Sequence, residues 1–268
     1  MPRLFLCRHG ERIDHVEPTW DKTAAVPEDI LLTARGHRQA YEMGMALRGK
    51  GISVIYSSPY IRCVCTAHSA ATALGGTARV CIEPGLAQRS AAERCGGDPM
   101  PKMLAPSQLI KTLPLIDPQQ KAKTGVPAFP ETDEAFYERC QKVMRAILAA
   151  HPDDTVLLVA HNCNVCNLTR CLVPGVQFPR WGVTYASITE LEVDPSLHMS
   201  GEIYVPFSDA WKMQKFAVDA LLQSRAGPSC RMSLLRVSDD SQLREPEMPI
   251  RERGDKHAAV VDDLGAGG

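Results

Sequence analysis

The segment "LFLCRHGERID", residues 4–14, begins as an apolar run and ends in Arg8, His9, Glu11, Arg12 and Asp14, five ionisable groups within seven positions. Two distant segments carry the same residue types: "SSPYIRC" holds Arg62 and "VAHN" holds His161. Two histidines and two or more arginines gathered at one place repel each other unless an anion lies among them. A phosphate monoester dianion has the right charge, and the planar fork of arginine matches its oxygens. Like charge keeps an imidazole among arginines neutral, so its lone pair can attack phosphorus.

Something must bring these residues together. "RLFLC" (3–7) reads as a short buried strand. "LLTARGHRQAYEMGMALRGKG" (31–51) reads as a helix, with Thr33 at its N-cap and glycine at its end. "SVIYSS" (53–58) is a second strand, after which Pro59 opens the helix "PYIRCVCTAHSAATAL". "ARVCIEP" (78–84) is a third strand candidate. Phe136, Cys140, Val143, Met144, Ile147 and Leu148 recur at helical spacing, with Thr132 or Asp133 to cap them. "DDTVLLVAH" (153–161) is apolar throughout, as in a strand covered on both faces. A helix follows over 163–173 and stops before Pro174. "YASITELEV" (185–193) is a late strand, with 200–207 as its candidate partner. Alternating strands and helices predict an α/β fold with a mainly parallel sheet. Such sheets bind ligands beyond the carboxyl ends of their strands, where "RHG" and "AHN" both fall.

The bulk properties narrow the function. The 268 residues are 44% hydrophobic and 23% charged, with a net charge of -1. That balance argues against nucleic-acid binding through phosphate contacts. The first apolar run is too short for a signal peptide, and no stretch approaches a membrane span, so the expected location is cytoplasmic, without membrane contact. Ten cysteines are scattered along the chain and read as reduced, buried thiols. Cys163 and Cys166 form a CxxC that leaves a redox or zinc role open, although Cys63-x-Cys65 is a poor second ligand pair. Residues 85–130 read as an insertion that acts either as a substrate-binding lid or as a surface loop. Trp20 serves either stacking on a substrate or packing; His37, His68 and His151 read as solvated. From about Arg225 the chain has no aromatic residue and is expected to be disordered, which leaves residues 1–224 as the domain.

"RHGER", "SSPYIRCVCTAH" and "LLVAHN", in that order on an α/β pattern, resemble the histidine phosphatase superfamily, also called phosphoglycerate mutase-like. "LTARGHRQA" follows the same family's pattern. "CRHGERID" and "EPGLAQ" are most similar to the branch that holds the suppressor-of-T-cell-receptor-signalling phosphatase domains and the ecdysteroid-phosphate phosphatases. The resemblance spans residues 3–210. It implies a three-layer sandwich with the sheet between helices. It implies that His9 becomes a phosphohistidine, that Arg8 and Arg62 bind the transferring phosphoryl oxygens, that Arg12 is a third clamp and that His161 donates hydrogen bonds to the phosphoryl group. Neither metal nor cofactor is implied. The partner is a phosphorylated substrate, small molecule or phosphoprotein, with phosphotyrosine among the candidates. Homodimers occur in this branch, and nothing in the sequence tests one here.

The chain departs from the pattern once. An acidic residue follows the "EPGL" turn in this branch, and here Gln88 stands there. Glutamine cannot act as a general acid. Three outcomes are open: Glu93, five residues on, is the substitute acid; the substrate carries a good leaving group, such as a phenol, that needs less protonation; or the domain is slow and acts mainly as a phosphate-ester binder. Three readings stay open: a phosphomonoester phosphatase, a phosphoglycerate mutase-type phosphotransferase, and a weakly catalytic domain that binds phosphate esters.

Overall fold

The computed structural model describes residues 3–90, 103–173, 176, 178 and 182–193, and the backbone of 232–239. Six strands, β1 (Arg3–Arg8), β2 (Ile52–Ser57), β3 (Arg79–Ile82), β4 (Thr155–Ala160), β5 (Ile188–Val193) and β6 (Met232–Asp239), form one sheet in the order β3-β2-β4-β1-β5-β6. The first four are parallel; β5 is antiparallel to β1, and β6 to β5. The helices are α1 (Trp20–Thr23), α2 (Ala34–Ala46), α3 (Ile61–Ala73), α4 (Pro106–Leu109), α5 (Asp133–Ala150) and α6 (Asn162–Leu172).

Successive strand residues point to opposite faces, and the core divides accordingly. Phe5, Cys7, Leu157 and Val159 join α3 residues such as Val64 and Ala67 in one cluster. Leu4, Leu6, Val156 and Leu158 join Val143, Met144 and Leu168 of α5 and α6 in the other. The result is a three-layer α/β sandwich, the architecture that the sequence resemblance implies.

The parallel register sets the site. Arg8 of β1 lies beside Ala160 of β4, and Ser57 of β2 beside Val159. The next residues on these three strands, His9, His161 and Ser58, therefore emerge side by side. Backbone bonds from His9 N to Ala160 O and from Ser58 N to Val159 O, each 3.0 Å, extend the ladder to that level.

Local chemistry holds the loop after β1. The Thr33 hydroxyl caps α2 by accepting from Gly36 N (2.8 Å) and donates to Glu11 Oε2 (2.9 Å). Gln39 Oε1 accepts from Glu11 N at 2.9 Å. Glu11, 2% exposed, is thus a buried tie between the histidine loop and α2. The tie needs glycine on both sides: a Cβ on Gly10 would strike the Gly36 carbonyl, and one on Gly36 would strike the Glu11 backbone.

Several expectations shift. α3 begins at Ile61 with Tyr60 as N-cap, so Pro59 lies before the helix rather than in its first turn. β6 falls within the stretch read as disordered, because residues 232–239 pair with the edge of β5; its segment "MSLLRVSD" carries four apolar residues that the charged composition around it conceals. Residues 200–207, the expected partner of β5, lie outside the described residues. The 85–130 insertion is partly built into the core, since Leu109 and Ile116 are buried and Ile116 bridges to Val80 of β3. Buried Glu83 anchors it by accepting from Gly85 N, Lys123 N, Thr124 N and the Thr124 hydroxyl. His151 is half-buried and joins Tyr56 Oη to the Asp154 carboxylate, each at 2.8 Å. Among the described residues, no helix is long and apolar enough to cross a membrane.

Candidate active site

His9 is the first residue beyond β1 and is 3% exposed. Its Nδ1 lies 2.7 Å from Gly10 O. A carbonyl only accepts, so Nδ1 carries the proton and Nε2 keeps the lone pair. Gly10 N donates to the Thr66 hydroxyl (3.1 Å), which donates to Arg62 O (2.7 Å), so the histidine loop is also fastened to α3.

Two arginines flank the ring. Arg8 Nη1 donates to Val183 O at 2.7 Å, and its guanidinium stacks 3.9 Å above the Tyr185 ring. Asn162, the first residue of α6, accepts from Val183 N at 3.0 Å and steadies that loop. Tyr185 lies 5.6 Å from His9, centroid to centroid, and its hydroxyl meets His15 Nδ1 at 2.7 Å. Arg62, in the first turn of α3, is 1% exposed. It stacks on Tyr60, and its Nη2 reaches Gln88 Oε1 (2.6 Å) and His161 Nδ1 (3.2 Å). Its Nε and Nη1 are buried with no acceptor among the described residues. Unmet guanidinium donors in a dry site are costly, and an oxyanion satisfies them.

His161 follows β4 with its ring centroid 5.4 Å from that of His9. Arg62 only donates, so His161 Nδ1 accepts and Nε2 donates to Ser58 Oγ at 2.8 Å. Both ring nitrogens are engaged by the protein in this arrangement. To serve a phosphoryl oxygen, as the sequence resemblance implies, His161 must gain a proton on Nδ1 as Arg62 turns away. Burial first, and then the positive charge of Arg62, hold both imidazoles well below their usual pKa. Both are therefore neutral near pH 7, as the sequence predicts for His9.

This is a neutral imidazole and orphaned guanidinium donors at the carboxyl edge of a parallel sheet. The sequence model described as "Histidine phosphatase superfamily (branch 1)" matches residues 4–198. The chain belongs to the histidine phosphatase superfamily. It is 27% identical over 208 residues to the ecdysteroid-phosphate phosphatase of Drosophila melanogaster, covering 65% of this chain and 27% of that one. It is 25% identical over 193 residues to the ubiquitin-associated and SH3 domain-containing protein B of Mus musculus, covering 59% and 30%. The chain thus spans less than a third of these relatives' length. Its fold is similar to that of the ecdysone phosphate phosphatase from Bombyx mori in complex with tungstate, with TM-score 0.62 and 21% identity over 73% of this chain and 90% of that one.

The remaining residues of this histidine phosphatase chain fall into place unevenly. Arg12 adds to the positive field at His9 and His161, but its fork is occupied by Asp14, with Nε at 2.9 Å from Oδ1. Glu93 lies outside the described residues. Gln88 is at the site, held there by a network no motif announced. Arg139 donates to Gly85 O (2.7 Å) and Ala87 O (3.0 Å) and forks onto the Glu131 carboxylate, while Asn164 donates to Ala87 O (3.1 Å). Trp20 Nε1 donates to Pro27 O at 3.3 Å, which favours packing of its own loop. Asp29 Oδ1 accepts from Ile61 N at the start of α3 (2.9 Å), and burial raises its pKa. The eight described cysteines are thiols, Cys163 and Cys166 among them.

Sequence reasoning missed Ser58, Tyr185 and Asp29. Ser58 sits inside the quoted "SSPYIRC" segment and was legible from its place after a strand. Nothing around Tyr185 marks it, because its role depends on β5 lying next to β1.

Proposed function

We propose that this chain hydrolyses phosphate monoesters through a phosphohistidine on His9. The observation that carries the reading is the pairing of a buried, neutral His9, its Nδ1 tied to Gly10 O, with Arg62, whose buried Nε and Nη1 lack acceptors. The ester phosphoryl group lies between them. Its oxygens take the orphaned donors of Arg62 and the fork of Arg8, with Arg12 adding charge at the mouth. His9 Nε2 attacks phosphorus in line and the ester oxygen departs. The Gly10 carbonyl stabilises positive charge as it develops on the ring. His161 takes a proton as the dianion arrives and donates to the phosphoryl group. Water then attacks the phosphohistidine and releases inorganic phosphate. In this reading the arginines supply the charge that a metal ion supplies elsewhere.

The relatives named as phosphatases support hydrolysis over a mutase. One observation favours a second reading. Gln88, which cannot transfer a proton, occupies the clamp, as in a domain that binds phosphate esters and turns them over poorly. Hydrolysis of para-nitrophenyl phosphate with EDTA present, by wild type and His9→Ala, decides between them. Turnover that vanishes in the variant, with a phosphoryl group trapped on the His9 peptide of the wild type, supports the enzyme. Vanadate binding without turnover supports the binding domain.

A further inference from the structure

The groups around His9 are positive or neutral. The transferring phosphoryl group meets Arg8 and Arg62, the field of Arg12, His161, which takes a proton as the dianion arrives and donates it in a hydrogen bond to a phosphoryl oxygen, and Gln88. When the P–O bond breaks, its electron pair goes to the ester oxygen, which must be given a proton or bear the charge itself.

The described carboxyls nearby are engaged elsewhere. Glu11 accepts from Thr33 and pairs with Arg35. Asp14 holds Arg12, Glu131 holds Arg139, and Glu83 accepts from Gly85, Lys123 and Thr124. Asp29 is tied through one oxygen, Oδ1 accepting from Ile61 N, and is the described carboxyl that the test below must exclude. His161 is held by Ser58 through Nε2, and in the proposed reaction its Nδ1 proton is committed to a phosphoryl oxygen; the Tyr185 hydroxyl is engaged by His15. Gln88 is what meets the clamp: its Oε1 is 2.6 Å from Arg62 Nη2, and the carbonyl of the preceding residue is pinned by Arg139 and Asn164. An amide N–H hydrogen-bonds to a departing oxygen but does not give up its proton.

We infer that Gln88 restricts this site to phosphate monoesters whose leaving group is already acidic, namely aryl phosphates and phosphotyrosine rather than esters of aliphatic alcohols. The inference rests on the phosphohistidine reading and deepens it. His9 Nε2 forms the N–P bond and the P–O bond breaks. The phenol leaves as phenoxide and takes its proton from solvent. Water then forms the new P–O bond, the N–P pair returns to Nε2, and the water's surplus proton goes to solvent. A phenol of pKa near 10 tolerates this departure; an alkoxide does not.

The test is kcat/KM of the full chain across 4-nitrophenyl, phenyl, glycerol and serine phosphates, because that constant covers every step through loss of the leaving group. The expected result is a steep fall along the series. A missing general acid is worth about 10²- to 10⁴-fold, so the alkyl esters should trail phenyl phosphate by at least that much. Gln88→Glu should shrink the aryl-to-alkyl ratio by about 10²-fold. A shallow dependence in the wild type that Glu93→Gln or Asp29→Asn makes steep overturns the inference, as does a ratio that Gln88→Glu does not move. If no ester is turned over in a His9-dependent way, the phosphohistidine reading fails and this inference with it. If aryl and alkyl esters are turned over equally, only this inference fails.

Discussion

Arg62 and Arg139 are both buried arginines, and both reach the loop that carries Gln88, yet they are treated in opposite ways. Arg139 has a carboxylate fork from Glu131 and two carbonyl acceptors. Burial opposes its charge, but the Glu131 hydrogen bonds outweigh that and its pKa ends raised. Arg62 has Gln88, a neutral ring nitrogen and two donors without acceptors, and burial lowers its pKa. The first arrangement is complete within the protein. The second leaves two buried donors unmet, and in the proposed function an external anion completes it. A buried arginine is structural where the chain supplies its counter-charge and functional where it does not.

The sharpest way to break this comparison is Arg62→Met. Phosphatase kcat/KM should fall by about 10³- to 10⁵-fold, the range for a guanidinium that stabilises phosphoryl charge. Its thermal midpoint without anion should stay level or rise, because removing it relieves unmet donors and repulsion with Arg12. A midpoint that drops sharply would show that Arg62 is structural after all. Glu131→Gln should do the reverse. It strands the Arg139 charge, for about 3–5 kcal/mol of stability in denaturant unfolding, and its activity loss should follow from the misplaced Gln88 loop. Vanadate or phosphate should stabilise the wild type by about 2.7 kcal/mol at 100 times Kd and leave Arg62→Met unmoved; equal stabilisation of both would place the anion elsewhere.

The smallest effects concern pH. His9 and His161 have lowered pKa values in the folded chain, so between those values and the ordinary histidine value near 6.5 the unfolded chain binds more protons. Stability should therefore fall as pH drops below about 6.5, and His161→Asn should lessen the slope. In the same way the acid limb of kcat/KM, which reports the free enzyme, should lie below the usual imidazole range, and Arg8→Gln should move it upward. An acid limb at the ordinary value would mean that the ring is not held in the field described.

How much was legible follows from what each residue depends on. His9, Arg62 and His161 could be read because two of them directly follow strands and Arg62 opens the helix after a third, and alternating β and α elements place those strands in one sheet, so topology brings them together. Arg12 was half legible: its place in "RHGER" predicts the pocket, but not that Asp14, two residues on, takes its fork. The Glu131–Arg139 pair was invisible, since i and i+8 residues at a helix start look like ordinary surface charge until the loop after β3 folds over them. The role of Glu11 was illegible for the same reason, because its partners Thr33 and Gln39 are distant in sequence. β6 was missed because eight pairing residues are diluted by charged neighbours in any compositional measure.

The parallel ladder has one last consequence. His9 and His161 stand on adjacent strands, whose spacing of about 4.8 Å is a constant of backbone hydrogen bonding. The distance between the proposed nucleophile and its partner ring is thus machined to the tolerance of a lattice and owes nothing to the side chains that shape the mouth of the pocket. Loops such as 85–88 can be redrawn to admit new leaving groups while the reacting geometry stays in gauge. Substrate preference can drift in this chain without the chemistry having to be reinvented.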